Sequence, residues 1–243
     1  MENKIFEEMF NVEAEHWWFV SRRKIITKFI EGLELKDDAR VLDAGCGNGD
    51  NLEMLAKHGE LFAVERDELA FARAQARLFG KVYKGELPDG FPEEVSKDND
   101  LIVLLDVLEH IDDDHKSLSV LKDCAKDKAK IVITVPAYQF LWTQHDEIHH
   151  HKRRYTIKSL KKVVEANGWK IQYISYFNTF LFPLALIDRL IKKLLFSSRE
   201  EKLVIPNKHI NVVFEKIFGF ESNFIGKYSF PFGLSIILVA ENI

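Results

Sequence analysis

Cysteine is nearly absent from this chain of 243 residues: Cys46 and Cys124 are the only two, and neither has a Cys or His neighbour at metal-ligand spacing. A disulfide framework and a structural zinc site are therefore not expected, and a reducing, cytoplasmic setting fits best. A chain of this length can stabilise itself through its core alone. Basic excess is missing as well, since 34 Lys and Arg face 38 Asp and Glu for a net charge of −4. A general nucleic-acid binder is not expected with that balance. The longest charge-free stretch, Ile171 to Ile187, is interrupted by Gln172, Asn178, Thr179 and Pro183. It is too short and too polar for a membrane-spanning helix. The first residues, MENKIFEEMFNVEAEHWWF, carry acids throughout and have no apolar core of signal-peptide length. There is no internal repeat and no low-complexity tract.

What is present is alternation of strand-like and helix-like segments. Residues 2–33 read as helix, broken near Ser21, which would cap a second helix from Arg22. Strands are expected at Arg40–Asp43, Leu61–Glu65, Lys81–Lys84, Asp100–Leu105, Lys130–Val135, Trp169–Tyr176 and Leu234–Ala240. Helices are expected at Asp50–Lys57, Asp67–Leu78, Asp112–Lys126, Thr156–Asn167, Phe180–Phe196 and Ile210–Phe218, with a polar loop over residues 136–155. This order predicts an α/β fold: a Rossmann-like, doubly wound, seven-stranded and mostly parallel sheet. We read one domain, with a helical cover (1–35), a core (36–176), a helical insertion (177–233) and a final strand (234–243).

The chemistry is concentrated in VLDAGCGNGD, Val41 to Asp50. A buried strand ends there, and glycines 45, 47 and 49 precede a helix. Such a loop lets backbone approach a ligand and offers free N–H groups to it. A second strand ends in Glu65, where α/β proteins bind ribose hydroxyls. The dinucleotide fingerprint G-x-G-x-x-G would need glycine at position 50, which is Asp, so a nucleotide-dependent oxidoreductase is disfavoured.

The pattern D-x-G-x-G-x-G resembles motif I of the class I S-adenosylmethionine-dependent methyltransferases. The resemblance implies that Asp43, Gly45, Gly47 and Gly49 hold the amino-acid end of S-adenosyl-L-methionine and that Glu65 holds its ribose diol. By the same likeness, Glu86 after the third strand lies beside the adenine, and Asp106 and Val107 open the segment after the fourth. Outer segments EAEHWWFVSRRKII, HDEIHHHKRRYT and FPFGLSI are similar to a bacterial small-molecule subfamily close to the ubiquinone-biosynthesis O-methyltransferases. Removing Glu65 is expected to weaken cofactor binding and leave the melting temperature of the free protein nearly unchanged.

Other side chains have two readings each. His110 is placed as a general base or as a packing residue. The run His151, Lys152, Arg153, Arg154 with Tyr155 is either a solvated face or a holder of an anionic acceptor, with Tyr155 a second catalytic possibility. Trp17, Trp18 and Phe19 cannot all face the core of one helix, which leaves Trp18 to meet substrate or cover the cofactor. Arg22 and Arg23 are within reach of the methionine carboxylate. His145 and His149 have helical chelate spacing, but with no helix expected and no third ligand at set spacing, no metal is expected. Cys46 is a small filler.

The expected activity is methyl transfer to a small-molecule acceptor, oxygen before nitrogen or carbon, on a sugar, lipid or lipid-linked intermediate. The alternative is a non-catalytic cofactor-binding or interaction protein. Residues 177–220 carry an apolar, partly cationic face that would complete the core, meet a membrane surface or join a second copy of the chain.

Overall fold

A computed structural model describes residues 3–194 and 204–243, the side chains of residues 3–5, 190 and 192–194 excepted. Helix α1 (Asn3–Val12) is followed by α2 (Trp17–Glu31). The break between them falls at residues 13–16, and His16 caps α2 by accepting from the Trp18 N–H at 3.2 Å. It does not fall at Ser21, whose buried hydroxyl donates to the Glu215 carbonyl at 2.9 Å and so links two helices. Along α2, Arg22, Ile25, Ile26, Phe29 and Ile30 are buried at intervals of three and four, the stripe that seats it on the sheet.

The core continues through β1 (Arg40–Ala44), α3 (Leu52–Leu55), β2 (Glu60–Glu65), α4 (Glu68–Ala76), β3 (Lys81–Lys84), β4 (Asn99–Leu105), α5 (Asp114–Asp123) and β5 (Ala125–Pro136). The helix expected from Asp50 is thus a single turn, extended by a 3-10 turn at Ala56–His58. Asp67 caps α4 by accepting from the N–H groups of Leu69 and Ala70. The segment read as a polar loop contains a short helix, α6 (Gln144–Ile148). Then come α7 (Ile157–Ala166), β6 (Trp169–Phe177), α8 (Phe182–Leu194), α9 (Lys208–Phe220) and β7 (Ser235–Asn242). Leu195 and Phe196 lie outside the described residues.

The seven strands form one sheet in the order β3-β2-β1-β4-β5-β7-β6. Only β7 runs against its neighbours, β5 and β6. Strand alternation sorts the core onto two faces. Val41, Leu101, Val103 and Val132 meet α2, α3 and α9, while Leu42, Ile102, Leu104 and Ile131 meet α5 and α7. Both faces are covered, as a parallel sheet requires. The crossovers change direction between β1 and β4, so the ligand crevice opens over the carboxyl ends of those two strands.

Helix α9 lies against α2, with the Trp17 ring 5.4 Å from Phe214 and 6.0 Å from Phe218. Buried Glu221, just past α9, accepts from the backbone N–H groups of Asn178, Thr179 and Phe180 and ties β6 to the start of α8. Core packing does not absorb the whole 177–220 face: Leu184, Ile187, Ile210, Val213 and Phe220 stay about half exposed. No helix among the described residues is long and apolar enough to cross a membrane.

Candidate active site

The glycine loop leaves β1 in a conformation only glycine adopts easily. Gly45 has φ +102°, and a Cβ there would stand 2.7 Å from the Val107 side chain. Gly47 has φ +56°, yet nothing lies within 4 Å of its would-be Cβ, because that position faces the cavity. Its N–H donates to Glu65 Oε2 at 2.8 Å. Glu65 Oε1 accepts from the N–H groups of Arg66 and Asp67, at 2.9 and 2.8 Å. The second-strand acid therefore ties the glycine loop to the end of β2. These three bonds argue against a melting temperature indifferent to the loss of Glu65.

Asp43, at 1% exposure, has no hydrogen-bond partner for either carboxylate oxygen. Burial, opposed by Arg22 and reinforced by Glu65, pushes its pKa from 3.8 up to about 7. Asp43 thus stays protonated in the folded state up to about pH 7 but ionises near 4 in the unfolded chain. In that window the folded state holds more protons, so stability falls as pH rises through it. Asp43→Asn is expected to stabilise the free protein by up to about 4 kcal/mol at pH 8 and by less than half of that at pH 5. Urea unfolding at the two pH values checks this, and equal gains at both would refute a buried charge.

Beside it, Arg22 is buried and pairs with Asp106 at 2.5 Å, donates to Thr134 Oγ1 at 3.1 Å and lies 5.3 Å from the Trp18 ring centroid. Asp106 has φ +60°, uncommon for a residue with a side chain. All three aromatics reach the cavity wall, and they differ in what else they touch: Trp17 packs on α9, Phe19 is buried, and Trp18 lies under the Arg22 guanidinium. Arg23 is committed to Asp50 and the Glu13 carbonyl. Glu86, half-exposed, stands at the cavity wall with Arg66 3.9 Å away. Burial pushes the Cys46 thiol well above its usual range, leaving it the inert filler expected.

Far along the same cavity, the basic run divides. His151 and Arg154 line it, but Arg153 and Tyr155 do not. The buried Tyr155 hydroxyl donates to Asp114 Oδ2 at 2.7 Å, and Arg153 pairs with the same carboxylate at 2.8 Å. Neither reaches an acceptor, so the catalytic role for Tyr155 and the anion-holding role for Arg153 are set aside. Arg154 presses its fork on Asp146, Nε to Oδ1 at 2.7 Å and Nη2 to Oδ2 at 2.8 Å. An acceptor anion would have to displace that carboxylate. His110 lines the cavity, and burial together with His151 lowers its pKa to about 3. Its ring is neutral at physiological pH and a far weaker base than free imidazole.

Cavity groups without a role read from sequence include Glu109, and Asp188 and Arg189 on α8. Glu109 lies between Val107 and His110, in the segment after the fourth strand. Nothing local marks the α8 pair. The cavity as a whole measures about 840 Å³, within the range of pockets that hold a cofactor and a small second ligand. The open space over Gly47 and the acid at the tip of β2 fit S-adenosylmethionine, whereas Asp43 and Gly49 lie behind the cavity wall, Gly49 against Leu52 and Ala74.

The family described as a methyltransferase domain matches residues 18–174, more than half the chain. No curated protein matches. Among solved structures, an S-adenosylmethionine-dependent methyltransferase of Thermotoga maritima aligns at TM-score 0.62 and 15% identity, covering 98% of each chain. A methyltransferase of Haloferax volcanii, solved with its Trm112 activator, aligns at 0.61 and 13%, covering 98% of this chain and 94% of that one. A phosphoethanolamine N-methyltransferase of Haemonchus contortus, bound to S-adenosyl-L-methionine, aligns at 0.55 and 15%, covering 86% of this chain and 49% of its own. With the motif I loop intact and the matched family spanning it, the chain belongs to the methyltransferase-domain family and is an S-adenosylmethionine-dependent methyltransferase.

Proposed function

We propose that this enzyme methylates an oxygen of a small molecule with an apolar part, as the ubiquinone-biosynthesis O-methyltransferases do, on a sugar, lipid or lipid-linked intermediate. The observation that carries this reading is the continuity of one cavity from Gly47 and Glu65 to the histidines and to Leu181, Leu184 and Ala185 of α8. A bound S-adenosylmethionine supplies a sulfonium-activated methyl group. Arg22 would hold its amino-acid end, Glu65 the ribose, and Glu86, Asp106 and Val107 the base side. Displacement from sulfur is in-line, so alignment and exclusion of water do most of the catalytic work. Trp18 covers one side, and α8 supplies an apolar wall whose outer continuation, Leu184 and Ile187, is exposed. An acceptor tail entering along that wall is our reading of the 177–220 face. Calorimetry is expected to show micromolar binding of S-adenosylhomocysteine and negligible binding of NAD. Tight NAD binding without response to S-adenosylhomocysteine would reject it.

A further inference from the structure

We propose that Glu109, His110 and His151 form a binding site for a divalent first-row transition cation at the acceptor end of the cavity. One potential ligand atom from each lies within 4.8 Å of the other two, and all three residues line the cavity. Atoms bound to a common ion at about 2.1 Å stand roughly 3–4 Å apart, so small side-chain rotations close the set.

A second observation is independent of that spacing. Glu109 is 1% exposed, and its Oε2 has no hydrogen-bond partner. A buried carboxylate oxygen without a partner is costly, and a cation is the group that most fully compensates it. The surroundings are arranged as they are around metal-bound imidazoles. His151 Nδ1 lies 2.8 Å from Asp146 Oδ1. Asp146, wholly buried, also accepts from both arms of the Arg154 fork and from the Thr143 N–H. With Nδ1 engaged there, Nε2 is the ring atom left to face a ligand. The His110 ring packs edge-on to His151, with centroids 4.6 Å apart. Carboxylate or carbonyl partners on the second ring nitrogen are the usual support of a metal-binding histidine.

Two imidazoles and one carboxylate suit zinc, iron, manganese or cobalt better than magnesium or calcium, which prefer all-oxygen sets. The grounds for expecting no metal from sequence do not hold: α6 exists, bringing the His145 and His149 rings to 4.0 Å, and the ligands come from two separate segments. Three protein ligands leave positions open for an acceptor oxygen. A hydroxyl bound there would lose its proton to bulk water more easily. The oxyanion would then form the new O–CH3 bond as the S–CH3 bond breaks, leaving a methyl ether and a thioether. This purpose rests on the O-methyltransferase reading, but the site itself rests on geometry alone.

The test is titration of chelator-treated protein with Co²⁺, read by its visible d–d absorption and by competition with Zn²⁺. One equivalent is expected to bind and to be displaced by zinc. His151→Ala and Glu109→Gln should each weaken uptake at least tenfold, and Asp146→Asn about tenfold as a positioning residue. Exposed His209→Ala should leave uptake unchanged. Absence of d–d bands in the wild-type protein, or identical titrations in all variants, overturns the site. Should a variant misfold, a wild-type melting temperature unmoved by Zn²⁺ overturns it equally. S-adenosylhomocysteine calorimetry on the same chelated sample separates the two claims. Binding without cobalt uptake removes only the metal, and cobalt uptake without binding removes only the methyltransferase reading.

Discussion

Replacing Arg22 with methionine is expected to weaken S-adenosylhomocysteine binding about a hundredfold and to destabilise the free protein by about 3–5 kcal/mol. Methionine keeps the apolar stem under Trp18, so the loss isolates the guanidinium. That group is buried, pairs with Asp106 and donates to Thr134. It also opposes the upward push of burial on Asp43 and, together with Arg154, on Glu109. Without it, acids at the tips of β1 and β4 face one another across a poorly hydrated space. Two charge-assisted hydrogen bonds to a ligand carboxylate, at about 1.5–3 kcal/mol each, more than cover the hundredfold loss. Calorimetry and urea unfolding measure the two quantities separately. Wild-type affinity in a destabilised variant would mean that Arg22 serves the fold alone.

Glu65→Ala is expected to lower cofactor affinity tenfold or more and, at the same time, to destabilise the free protein by about 2 kcal/mol. The first effect follows from unpairing the ribose hydroxyls, at about 1–3 kcal/mol. The second follows from the three backbone N–H groups that Glu65 accepts, from Gly47, Arg66 and Asp67. They join the glycine loop to the end of β2, and no other side chain takes their place. A lowered affinity with an unchanged melting temperature would restore the simpler view of Glu65 as a ligand-only residue. Glu65→Gln sharpens the comparison, since its amide nitrogen cannot accept and so gives up either the Gly47 N–H or those of Arg66 and Asp67.

The readable parts of this molecule are those whose signal is local. The glycine loop, its flanking acids and all seven strands lie in short windows where composition and periodicity agree. Misreadings arise where a partner is distant or an element is too short for a period. Ser21 has the chemistry of a cap, but its acceptor lies 194 residues away on α9. Helix α6 spans 5 residues, less than two turns, so no hydrophobic repeat could announce it. Arg153 and Arg154 are neighbours in sequence, yet Asp114 claims one and Asp146 the other. Along an irregular extended segment, side-chain direction is decided by such tertiary partners. The same reason hid Glu109, because an unpaired oxygen is a property of its surroundings.

The placement of β7 has a kinetic meaning. It is inserted between β5 and β6, and β6 touches the sheet through β7 alone. While a ribosome is still making residues 235–242, β5 presents a bare edge of unpaired amides and β6 has nothing to pair with. The half of the sheet that carries the glycine loop, β3-β2-β1-β4-β5, has all its neighbours earlier. Synthesis therefore passes through an interval in which the cofactor loop can form while an apolar edge lies open, the condition under which strands of neighbouring chains pair. Long-range contacts of this kind also slow folding. Pairing of β7 with both β5 and β6 then closes that edge in one step.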